Sequence, residues 1–182
     1  MPRYIALLRA INVGGNVVTM ARLRREFEAL DLQEVESFIA SGNVIFSSRS
    51  AAATLKKPIE ARLGKLLGYE VTTMLRTDAE VAAVAAFRPF PEPAMKAAAA
   101  LYVAFLDRTP GKTAPRTLAG FRTEIDDLRL KGREVYWLCR TGQMGSKFSN
   151  AVLERALGLR STMRNITTVR RLAAKYPPAT KR

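Results

Sequence analysis

The chain contains no histidine, one cysteine, one tryptophan, and sixteen acidic side chains against thirty basic ones. Without histidine it cannot use Ser-His-Asp or Cys-His nucleophile activation, histidine acid–base catalysis or most catalytic zinc sites. A single cysteine, Cys139, forbids any intramolecular disulfide, so a reducing compartment is expected. Its apolar neighbours mark it as a core residue. No apolar run approaches the roughly 18 residues of a membrane span, and the N-terminus lacks a hydrophobic signal core. The expectation is a cytoplasmic protein with no membrane association. No metal-ligand spacing and no cofactor motif are present.

What the sequence does have is apolar content and positive charge. Hydrophobic residues make up 48% and charged residues 25% of the 182 positions, the composition of a soluble globule of one domain or two small ones. The formal charge of +14 and pI near 10.6 point to nucleic acid or another phosphate-bearing partner. The charge is also uneven. Residues 1–91 hold twelve bases and nine acids, whereas residues 92–182 hold eighteen and seven. From Arg140 to Arg182, ten bases face one acid, Glu154. Clustering of this kind favours a binding face, although a solvated charge run produces the same count.

Periodicity predicts a strand over 3–9, then a helix over 20–30 capped by Thr19, with Met20, Leu23, Phe27 and Leu30 along one stripe. Two β-prone runs, 34–40 and 44–48, flank Ser41-Gly42-Asn43, which has tight-hairpin chemistry. A helix over 51–67 containing Pro58, ended by Gly68, leads to a strand over 71–76. The order β-α-β-β-α-β is that of a ferredoxin-like unit, expected to occupy residues 1–87. A helix over 77–87 ends at Arg88-Pro89-Phe90-Pro91-Glu92-Pro93, predicting an extended connector over 88–98. Residues 99–182 then read as strand 99–106, helix 114–120, hairpin strands 123–130 and 134–140, a helix from Ser146 or Lys147 to Leu157, and a last helix over 167–175. That second half, β-α-β-β-α, repeats the first without visible sequence repetition, so the fold class is α+β with an internal structural duplication.

Candidate site residues sit where strands break into loops. In Leu8-Arg9-Ala10-Ile11-Asn12-Val13-Gly14-Gly15 an apolar strand delivers Arg9 and Asn12 to a glycine pair, which suits positive φ or close approach of a ligand. A second glycine loop, Thr141 to Gly145, precedes Ser146 and Lys147 at a predicted helix start. It lacks Walker A spacing, which leaves an anion site or a self-capping serine. Arg164-Asn165 precedes the last helix, capped by Thr167 or Thr168 and carrying Arg170 and Arg171, and could fork a phosphate or fasten a loop. The two loops form one anion cleft, lined by Arg9, Asn12, Gly14, Gly15, Ser41, Asn43, Ser146, Lys147, Arg164 and Asn165, only if the fold brings them together. Base stacking on the first sheet would need exposed aromatics, for which Tyr4 and Phe46 are available. The adjacent Asp126 and Asp127 read as solvated hairpin residues.

At the Leu8 to Gly15 block and at Ser41-Gly42-Asn43-Val44-Ile45-Phe46 the chain resembles the uncharacterised bacterial family known as domain of unknown function 1697. The likeness continues through Tyr136, Gly142, Ser146-Lys147 and Thr162-Met163-Arg164-Asn165-Ile166-Thr167. It implies a two-part α+β fold with ferredoxin-like halves and carries no established activity. The chain departs from the family pattern at Ala10, where glycine is typical, at Ile166, where tryptophan is typical, and near Arg140, where proline is usual. Any indole role at position 166 cannot operate here.

Three readings follow. The first is a binding protein for a phosphate-bearing partner, RNA or DNA before a small nucleotide. The second is an enzyme acting on a small anionic substrate without histidine or metal. In the third, a scaffold or oligomeric protein, the motif residues only fasten loops.

Overall fold

The structure is a computed structural model that describes residues 1–11, 17–39 and 42–179. The first half runs β1 (Arg3–Leu8), α1 (Met20–Glu28), β2 (Gln33–Ser37), β3 (Asn43–Ser47), α2 (Ala52–Leu67) and β4 (Thr73–Thr77). After α3 (Asp78–Ala86) and α4 (Glu92–Ala97), the second half runs β5 (Ala100–Leu106), α5 (Ala114–Ala119), β6 (Asp126–Lys131), β7 (Glu134–Cys139), α6 (Asn150–Leu157), β8 (Ser161–Asn165) and α7 (Ile166–Lys175). Each half forms a four-stranded antiparallel sheet, in the orders β2-β3-β1-β4 and β6-β7-β5-β8. The α+β class and the duplication are thus present in the structure.

The helices form where sequence signals start and stop them. Thr19 accepts the Arg22 N–H at the start of α1, Ser149 accepts the Val152 N–H at the start of α6, and Gly68 and Gly158 end α2 and α6 in the left-handed conformation. One face of each sheet is covered by its own helices. Tyr4, Ala6, Leu8, Val44, Phe46 and Leu75 pack against Leu23, Phe27, Ile59 and Leu63 in the first half. Ala104, Leu106, Leu128, Val135, Trp137 and Cys139 pack against Leu118, Phe148 and Leu153 in the second. The opposite faces are also buried, with Ile5, Leu7, Ile45 and Met74 in one sheet and Val103, Phe105, Tyr136 and Leu138 in the other. At about 25 cal/mol per Å² of apolar surface removed from water, such two-sided burial is the main source of stability.

The halves repeat one another in detail. A helix glutamate accepts the first N–H of the last strand in each, Glu60 from Thr73 and Glu154 from Ser161, both at 2.7 Å. The chain divides into two compact units, Met1–Ala82 with Leu172–Arg182, and Ala83–Arg171, so the division runs through α3 and α7.

The structure departs from the sequence reading in three places. Part of the extended connector expected over 88–98 is the short helix α4, whose Pro93 lies in the first turn, where a missing N–H costs nothing. The helix expected to begin at Ser146 or Lys147 begins at Asn150, after a 3₁₀ turn over Gln143–Gly145. The strand β8 was not predicted, because Ser-Thr-Met-Arg-Asn shows no alternation of apolar and polar residues. With β8 the second half is β-α-β-β-α-β, like the first.

Candidate functional site

In the first unit, β1 ends in a tightly tied corner. The Leu8 N–H donates to the Gly42 carbonyl at 2.8 Å, the Arg9 N–H to the Thr72 carbonyl at 3.0 Å, and the Tyr69 hydroxyl to the Ala10 carbonyl at 3.1 Å. Gly42 has φ +70, and a Cβ there would lie 3.1 Å from Ile11 Cβ and 3.3 Å from Leu8 Cβ, so both conformation and space call for glycine. Ala10 itself holds φ +58, which explains why glycine would suit that position: the requirement is backbone conformation. Asn43 is fully buried and donates through Nδ2 to the Phe38 carbonyl at 3.1 Å, closing the hairpin. Arg9 is half-buried at the strand end. Asn12, Gly14, Gly15 and Ser41 lie outside the described residues.

The counterpart of this corner is not the Gly142 loop. Leu106 N–H donates to the Arg133 carbonyl and Asp107 N–H to the Arg160 carbonyl, repeating the bonds of Leu8 and Arg9, so the loop after β1 matches the loop after β5. The Gly142 to Ser149 passage matches the link from β3 to α2 instead.

In that passage the central group is Asp126, which sequence reasoning took as solvated. It is buried, and its carboxylate accepts the indole N–H of Trp137 at 2.7 Å and the hydroxyl of Ser146 at 2.7 Å. Ser146 in turn accepts the Phe148 N–H at 2.9 Å, so it ties the loop to the sheet and does not cap α6. Asp127 does face outward and pairs with Arg122 at 3.1 Å. The signal for Asp126 was Trp137, because an indole N–H inside an apolar strand requires an acceptor. Cys139, opposite Asp126 across the strand pair, is buried, and burial pushes its thiol pKa up. It is an inert core thiol.

Lys147 is exposed beside this cluster. It borders a cavity of about 370 Å³ shared with Thr123, Glu124, Ile125, Asp126 and Gly145, and another of about 520 Å³ shared with Trp137, Gln143, Ser146 and Phe148.

Arg164 and Asn165 stand at the same end of the second sheet as this loop. β7 ends at Cys139 opposite Ala100, and β8 ends at Asn165 opposite Tyr102, two strand spacings or roughly 10 Å apart. Arg164 donates to Thr162 Oγ1 at 2.8 Å and to the Met163 carbonyl at 2.9 Å, and burial of its guanidinium lowers the pKa to about 10, so it stays charged at neutral pH. The equivalent position of the first sheet is Arg76, which is fully buried and donates to the Leu75 carbonyl at 2.9 Å. Asn165 accepts the Thr167 N–H at 2.9 Å, so Asn165 caps α7, and not Thr167 or Thr168 as the sequence predicts.

The opposite end of the second sheet holds a feature the sequence did not single out. A cavity of about 660 Å³ is lined by Arg108, Arg155 and Arg160 together with Ala151, Glu154, Gly158 and Leu159. Tyr4 and Phe46, the aromatics available for stacking, are buried under the helices of the first sheet with their rings 5.6 Å apart. Among the described residues no group of three or more Cys, Asp or Glu is placed to hold a metal ion, and no helix is long and apolar enough to cross a membrane.

Comparison with known proteins gives a family and a fold. The family model described as protein of unknown function (DUF1697) matches residues 1–136. A solved structure of a conserved bacterial protein from Streptococcus pneumoniae is similar at 25% identity and a TM-score of 0.77, over 98% of this chain and 99% of that one. No curated protein matches.

Proposed function

The chain belongs to the DUF1697 family of proteins of unknown function, and for this member we propose binding of a phosphate-bearing partner, nucleic acid foremost, in the cytoplasm. One observation carries the reading. The second unit holds sixteen bases and seven acids, and the side chains of its Lys112, Arg116, Arg129, Lys147, Arg155, Arg160 and Arg170 are exposed without a hydrogen bond or ion pair among the described residues. Exposed cations without partners are what neutralise backbone phosphates and release condensed counterions.

The mode of recognition follows from what is buried. Tyr4, Phe46, Phe105, Tyr136 and Trp137 are all buried, so neither sheet offers them as a base-stacking platform. Contacts to phosphates are left, and these bind with little regard to sequence. The test is fluorescence polarisation with labelled duplex DNA, duplex RNA and single strands across a salt series. Salt-sensitive affinity supports the reading; absence of affinity for every probe at low salt refutes it.

A specific observation favours the scaffold reading for part of the candidate cleft. Asn43, Ser146, Arg164 and Asn165 each hydrogen-bond to nearby backbone or side chains, which is the behaviour of loop fasteners. Phosphate binding therefore rests on the exposed cations, with Lys147 the member of the cleft best placed for it.

A further inference from the structure

The cavity bordered by Arg108, Arg155 and Arg160 gathers three guanidiniums from three places in the chain. Arg108 lies two residues past the end of β5, Arg160 immediately precedes β8, and Arg155 lies in the last turn of α6. The fold brings the Arg108 and Arg160 segments together, because the Asp107 N–H donates to the Arg160 carbonyl at 3.0 Å. Arg133 comes to the same sheet end through its carbonyl bond to the Leu106 N–H.

A helix C-terminus attracts cations, so capping of α6 must be set against ligand binding. Capping accounts for Arg108 alone. Its Nη2 donates to the Gly158 carbonyl at 3.2 Å, and its Nη1 lies 3.2 Å from Asp107 Oδ2, which offsets its charge. The side chains of Arg155 and Arg160 are exposed and make no hydrogen bond or ion pair among the described residues. Among the described residues the carboxylate bordering the cavity is Glu154, whose Oε1 accepts the Ser161 N–H at 2.7 Å. Two unpaired guanidiniums on one concavity repel each other and are brought into balance by a shared anion. A guanidinium fork matches the paired oxygens of a phosphate.

We propose that the Arg108–Arg155–Arg160 cavity is the seat of a backbone phosphodiester of nucleic acid. This inference rests on the phosphate-binding reading above and locates it at the β5–β8 end of the second sheet, away from the Gly142 to Lys147 loop. Arg155 and Arg160 contact the phosphates, and Arg108 holds the α6 terminus that presents them.

The test compares two double variants of equal charge loss, R155Q/R160Q in the cavity and R22Q/R25Q on α1 of the first unit, with the wild-type chain. All four arginines are exposed, and thermal melting verifies that the variants fold. Binding of labelled duplex RNA and duplex DNA is measured against salt concentration. Each phosphate contact contributes about −0.9 to the slope of log affinity on log salt, so R155Q/R160Q should make the slope about 2 shallower and weaken binding about ten- to a hundredfold near 0.1 M salt. R22Q/R25Q should leave both close to wild type. Equal losses in the two variants would overturn the cavity while leaving nucleic-acid binding intact. A wild-type chain that binds no probe would overturn the underlying reading, and the cavity with it.

Discussion

At the scale of single residues, Asp126 shows how a buried charge is stabilised by its donors. Two donors at 2.7 Å, one from an indole and one from a hydroxyl, hold the carboxylate in a core that would otherwise exclude it. Asp126→Ala leaves the Trp137 N–H buried without an acceptor, which should cost about 1–3 kcal/mol in urea unfolding. Because Trp137 is the one tryptophan, its fluorescence should shift in the folded variant as well. Gly42 makes a second residue-scale case. Gly42→Ala should cost about 1–2 kcal/mol, read by the same unfolding, since φ +70 disfavours any Cβ and Ile11 and Leu8 crowd it. The glycine was legible in Ser41-Gly42-Asn43, because turn chemistry is local. Asp126 was not, since its role is set by a partner on the neighbouring strand and by a loop twenty residues on.

Elements were legible where their ends carry a cap. Thr19, Gly68 and Gly158 are read directly from sequence and bound the helices they were expected to bound. Where two serines compete, the sequence does not choose. Ser146 and Ser149 both precede α6, and only the fold, by giving Ser146 to Asp126, leaves Ser149 as the cap. Ser149→Ala should therefore lower stability by about 1 kcal/mol in denaturant unfolding. β8 escaped notice because a five-residue strand with arginine, serine and asparagine has no apolar period; it pairs because β5 offers a free edge.

The end of α7 carries a pH-dependent tie within the first unit. Tyr176 donates to Glu36 Oε2 at 2.7 Å, Lys175 lies 3.0 Å from the same oxygen, and Tyr176 meets Phe38 edge-on at 6.3 Å. The Tyr176 hydroxyl, and then Lys175, hold the Glu36 carboxyl below its ordinary pKa. A depressed carboxylate pKa stabilises the fold fully above the unfolded value, and that contribution disappears as pH falls through the folded one. Glu36 is half-exposed, so the effect is small. Tyr176→Phe should lower the melting temperature near pH 7, and the gap from wild type should narrow as pH falls below the ordinary carboxylate range.

At the scale of the whole molecule, duplication organises what the residues do. The two sheets share one strand order, one pattern of corner bonds and one buried arginine position, yet their charges differ. The sequence revealed the charge asymmetry and the α+β class, because composition and helix periodicity are summed over many residues. It led instead to the glycine loops as the site, since glycine pairs and Arg-Asn are conspicuous in one dimension. The cavity of Arg108, Arg155 and Arg160 was hidden because its members lie far apart in sequence and no motif unites them. The duplicated scaffold provides the positions, and the second copy bears the surplus charge.

Binding through phosphates is the claim on which this account stands. Polarisation of a labelled duplex RNA by the wild-type chain, titrated from low to physiological salt, tests it most directly. The account predicts saturable binding whose log affinity falls linearly with log salt, with a slope of at least about −2, one increment of roughly −0.9 for each of Arg155 and Arg160. Affinity that is absent at low salt, or that does not change with salt, would contradict it.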